Sequence, residues 1–118
     1  MQIEVFSDVV CPWCYIGKRR LEQALSQFEH ADQVAVTYRS FQLDPSSPDT
    51  SELGLDQMLA AKYGRSIEPA RAMNAQVSAV AASVGLDFQL AIARPANTFR
   101  AHRLIHHAAG HGLANELT

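Results

Sequence analysis

Only two cysteines occur in the 118 residues, and both stand in one tetrapeptide, Cys11-Pro12-Trp13-Cys14. A single pair cannot build the disulfide framework that staples small secreted domains. Basic residues are not in excess either: ten Lys plus Arg face twelve Asp plus Glu, a formal charge of −2. Without that excess the chain has no electrostatic footprint for a phosphate backbone, and nucleic acid is excluded as an expected partner. At 47% hydrophobic and 19% charged the chain is too polar for a membrane span and long enough for one domain with a modest core. The opening Gln2-Ile3-Glu4-Val5-Phe6 has no basic n-region, apolar h-region or cleavage site, which predicts a cytoplasmic location. Thiols there are kept reduced, so a lone pair reads as reactive or metal-binding rather than structural.

The pair follows the apolar run Ile3, Val5, Phe6, Val9 and Val10. Gln2–Phe6 alternates apolar and polar residues and predicts a strand. Pro12 suits the first turn of a helix, where its missing N–H costs nothing, and Ile16, Leu21, Ala24, Leu25 and Phe28 continue at helical spacing to about residue 30. Lys18, Arg19 and Arg20 fall on or beside its solvent face. Val34, Val36 and Tyr38, then Phe41 and Leu43, predict a second strand over 34–43 with a bulge near Ser40. A β-α-β order makes parallel pairing the natural outcome.

Turn residues concentrate at Asp44-Pro45-Ser46-Ser47-Pro48-Asp49, and beyond them the pattern is helical. Thr50 or Ser51 can cap a helix that stops at Gly64. A second predicted helix spans 68–84, with an apolar stripe of Met73, Val77, Val80 and Val84 and Gly85 as C-cap. Leu86, Phe88, Leu90 and Ile92 alternate like a strand but are read as an extended connector. Asn97-Thr98 can cap a last helix carrying Phe99, Leu104, Ile105 and Ala108.

Two thiols at a strand-to-helix junction point to disulfide exchange. At the helix start Cys11 would face unsatisfied N–H groups and the positive end of the macrodipole, which favour its thiolate. This predicts a pKa lowered from about 8.5 into the range of roughly 3.5–7.5, with Cys11 as nucleophile and Cys14, one turn on, as the resolving thiol. Pro12 and Trp13 support the pair without placing an imidazole between the sulfurs, which predicts an intermediate redox potential. No cofactor is required. Two competing readings stand beside this one. The thiols could join two of His102, His106, His107 and His111 in a zinc site, or they could be a buried packing pair. Pro-Trp at a helix start suits exchange better than a knuckle, and Trp13 and Tyr15 suggest an exposed aromatic rim, so no metal is expected.

The segment Val5-Phe6-Ser7-Asp8-Val9-Val10-Cys11-Pro12-Trp13-Cys14-Tyr15-Ile16-Gly17-Lys18 resembles the DsbA-family thioredoxin-fold oxidoreductases of the FrnE type. So do Phe41-Gln42-Leu43-Asp44-Pro45 and Asn97-Thr98 followed by Ala101-His102-Arg103-Leu104, in the same order. The resemblance implies an α/β thioredoxin-like βαβ unit with a helical insertion, and Cys11 and Cys14 as a couple exchanging with protein or small-molecule thiols and disulfides. In the related kappa-class transferases and hydroxychromene-carboxylate isomerases a serine stands at the first cysteine, so the two thiols here favour exchange over glutathione-dependent chemistry. The expected division is 1–44 for the first thioredoxin half and 45–118 for the insertion. The family's second half, with its hairpin, last helix and cis-proline, has no counterpart in the sequence, which reads as a truncated fold. Apolar residues such as Val34, Val36, Tyr38, Met73, Val77 and Val80 would then be uncovered and invite self-association.

Overall fold

A computed structural model describes all residues, Met1–Thr118. The chain forms two units, Met1–Ser46 with Thr98–Thr118, and Ser47–Asn97.

In the first unit, β1 (Gln2–Ser7) and β2 (Ala35–Ser40) form a two-stranded parallel sheet in the register Gln2↔Ala35 to Ser7↔Ser40. Ile3, Val5, Val36 and Tyr38 share one half-buried face, as period-2 alternation requires, while Phe6 on the other face is 65% exposed. Between the strands runs α1 (Pro12–Ser26), with Pro12 in its first turn and Ile16, 1% exposed, at the centre of the packing. It ends four residues short of the predicted limit, and a 3₁₀ turn over Ala31–Gln33 leads into β2.

The second strand is also shorter than predicted. Phe41 N–H makes the last bond to β1, at Ser7 C=O (3.0 Å), and the Leu43 N–H turns instead to the Asp8 carboxylate (2.8 Å). A side-chain acceptor thus ends the ladder, and no bulged continuation forms.

The unit closes with α4 (Phe99–Ala109) and a short α5 (Ala114–Leu117) that the sequence pattern did not predict. This differs from the expected division at 44/45. Residues 98–118 pack with the βαβ unit because His102 of α4 bonds Asp8 and the Asn115 carbonyl of α5 accepts from Lys18 of α1. Lys18 is therefore buried rather than on the solvent face, its ammonium 5.6 Å from the centre of the Tyr38 ring. The buried face of α4 carries His102 and Ala108, whereas Phe99 and Leu104 are exposed.

The second unit is built from α2 (Leu55–Tyr63) and α3 (Ile67–Ser83). Gly54, not Thr50 or Ser51, precedes α2, and its N–H donates to Gln57 Oε1 (3.2 Å). Gly64 stops that helix at φ +60°, a conformation that penalises residues with a Cβ. Ala70, Asn74 and Ala81 form the buried face of α3, and the predicted stripe is displaced by about one position, leaving Met73 48% exposed. After Gly85 the connector holds a 3₁₀ turn at Leu90–Ile92 and no strand.

Candidate active site

Cys11 is the N-cap of α1, with extended backbone (φ −92°, ψ 108°). Its carbonyl accepts from Cys14 N–H (3.1 Å), and its own N–H donates to Asp8 C=O (3.1 Å). Pro12 at the first helical position fits because no N–H is missed there. Both thiols are free and partly exposed. Trp13 and Tyr15 form an exposed rim, 51% and 40% accessible, with the Arg19 guanidinium 5.4 Å from the Tyr15 ring centre. Beside Cys14 a groove runs along Val5, Phe6, Trp13, Lys18 and Tyr38.

The electrostatics of Cys11 differ from the sequence expectation. Burial pushes its thiol above the ordinary cysteine value, the hydrogen bond to the Cys14 side chain adds to this, and the backbone N–H groups of Cys14 and Trp13 only partly offset it. The helix start does supply the expected donors. What the sequence does not show is how far the thiol is withdrawn from water, and desolvation penalises the charged form.

The four histidines do not gather around the thiols. His102 Nε2 lies 3.0 Å from Asp8 Oδ1, His107 and His111 pack edge to face at 5.0 Å between ring centres, and no group of three or more His, Cys, Asp or Glu side chains is arranged to hold a metal ion. The thiols and these histidines thus form no common cluster.

The residues that sequence reasoning missed lie behind Cys11. Asp8, 3% exposed, accepts from Leu43 N–H, from the Thr98 side chain and from His102. Burial alone would raise its carboxyl. The three hydrogen bonds and the His102 charge outweigh it and hold the group below the usual carboxylate range. All four residues lie within the segments that carried the family resemblance. Their chemistry was not legible there, because a lone Asp and a lone His 94 residues apart give no spacing signal.

Comparison with known proteins agrees with this architecture. A probable DsbA oxidoreductase of Streptomyces coelicolor, known from its crystal structure, superposes with a TM-score of 0.91 at 43% identity over 97% of this chain and 49% of its own. The uncharacterized protein YwbO of Bacillus subtilis (strain 168) is 32% identical over 69 residues, 58% of this chain and 32% of that protein. The chain thus spans about half the length of the first and a third of the second. No helix is long and apolar enough to cross a membrane. The model of the DSBA-like thioredoxin domain matches residues 2–118, and the chain belongs to that family.

Proposed function

We propose that this protein is a dithiol-disulfide oxidoreductase in which Cys11 attacks and Cys14 resolves. The carrying observation is the pair itself: two free, partly exposed thiols three residues apart at the start of α1, with Cys11 at the N-cap. Membership of a family whose solved relative is titled a probable DsbA oxidoreductase supports the same reading. Cys11 thiolate attacks one sulfur of a substrate disulfide, forming a mixed disulfide and releasing the first substrate thiolate, which takes up a proton. Cys14, losing its proton, attacks the Cys11 sulfur and releases the second. Two electrons and two protons pass from the protein to the substrate, and the protein is left with a Cys11–Cys14 disulfide. The reverse sequence oxidises a dithiol.

Pro12 sets the helix start, and Trp13 walls the groove that would receive the apolar flank of a protein or small-molecule disulfide. The FrnE branch and action in the cytoplasm belong to the same reading. A chain whose only cysteines are the reacting pair needs no oxidising compartment to fold. Of the residues expected to be uncovered only Met73 is exposed, while Val34, Val36, Tyr38, Val77 and Val80 are half-buried; exposed Phe6, Trp13, Phe41 and Leu43 support self-association instead, and the helical Ser47–Asn97 unit corresponds to the insertion.

Replacing Cys14 by Ser should trap a persistent mixed disulfide at Cys11, while Cys11→Ser should trap none. Mass spectrometry of the adducts reads the outcome, and equal trapping by both variants would sink the assignment. Alkylation of Cys11 followed against pH should show a half-point above that of a free thiol, because burial opposes its ionisation.

A further inference from the structure

We infer that Asp8 and His102 are a positioning pair for the dithiol, holding the turn that carries Cys11 through a buried hydrogen-bonded relay. The inference rests on the reading of Cys11 and Cys14 as the redox couple and adds two residues to it.

Asp8 lies three residues before Cys11, and its carbonyl accepts the Cys11 N–H at 3.1 Å. Its carboxylate, buried and held ionised, can only accept hydrogen bonds. The donors come from three places in the chain: the exit of β2 at Leu43, Thr98 just ahead of α4, and His102 in its first turn. One residue thus ties the Cys11 turn to two segments remote in sequence. Because the carboxylate accepts, His102 Nε2 must carry the proton. Its Nδ1 is left buried with no hydrogen-bond partner.

That orphan atom argues against a packing role. An apolar pair of similar volume would fill the same space without an unsatisfied buried nitrogen, which native cores rarely tolerate. A histidine here is explained by the bond it donates. The remaining charged and titratable side chains lining the clefts beside the ring are Tyr38 and Arg39 of β2 and Arg103 and His106 of α4, and none of them partners its Nδ1.

The test uses His102→Leu, which removes the donor, and His102→Gln, which restores a neutral one. Two quantities are read in the purified protein: hydrogen exchange at the Cys11 amide, and the equilibrium of the dithiol with glutathione. In His102→Leu the Cys11 amide should exchange about tenfold faster, and the equilibrium constant should move by about threefold or more. In His102→Gln both should stay within about twofold of the parent. A residue that only stabilises the fold would lower the melting temperature of His102→Leu and leave the glutathione equilibrium of the folded protein unchanged. That result, or equal behaviour of the Leu and Gln variants, overturns the inference. Should His102→Leu fail to fold, Asp8→Asn gives the same readouts, since it keeps the shape while removing the ionised acceptor. The amide readout involves no electron transfer. A parent protein that forms no Cys11–Cys14 disulfide at any glutathione ratio would therefore overturn the redox reading, while the exchange data would still judge the positioning of the turn.

Discussion

The two units bury polar side chains in opposite ways. In the βαβ unit Asp8 is 3% exposed and surrounded by donors from three segments. In the helical unit Asn74 is buried on α3, but its partner Asp56 keeps 16% of its side chain accessible and also meets Arg71 at 3.6 Å. The first arrangement closes a charge completely and must satisfy it within the protein. The second leaves the charge at the edge, where water completes its bonding. A closed site is costly to break and holds its neighbours firmly, whereas an open one tolerates change. The dithiol is attached to the closed one.

The contrast can be broken most sharply at Asp8. Asp8→Ala removes one acceptor and strands the Leu43, Thr98 and His102 donors, so urea denaturation should show a loss of about 3–5 kcal/mol, the usual effect of deleting one member of a buried charged pair. An effect below that of an ordinary surface substitution would mean that water enters and that the site is not closed. In the helical unit Asn74→Ala should cost only about 1 kcal/mol, since Asp56 keeps solvent and Arg71 as partners. Equal losses at the two sites would erase the comparison. The smallest effect is that of acid. The folded Asp8 pKa is depressed, so its stabilising contribution is complete above the unfolded value of about 3.9 and disappears as pH falls through the folded value. Unfolding measured between about pH 5 and pH 2 should therefore show a pH-dependent loss of stability that is absent in Asp8→Asn. A parent and variant with parallel profiles would remove Asp8 as the source.

Local elements were readable where one physical signal dominated. Alternation over Gln2–Phe6 marked β1 to within one residue, Pro12 marked the start of α1, and Gly64 and Gly85, both at positive φ, marked helix ends. Legibility failed where long-range hydrogen bonds competed with local pattern. Leu43 continues an apolar alternation, yet its N–H is taken by Asp8, 35 residues away, and the strand stops at Ser40. Thr98 stands at the N-cap of α4, but its side chain makes no cap bond and goes to Asp8 instead. Met73 fits an apolar stripe, but the buried residues of α3 are Ala70, Asn74 and Ala81.

The sequence by itself determined the dithiol, the β-α-β order and the family, because each is carried by residues adjacent in the chain or by motifs in fixed order. Only the tertiary structure decided which residues meet at Asp8 and that burial shifts the Cys11 thiol upward. The first depends on segments 35 and 94 residues from Asp8 meeting around its carboxylate, and the second on the partial burial of the thiol itself. Desolvation is a property of the enclosed space, and no local spacing encodes it.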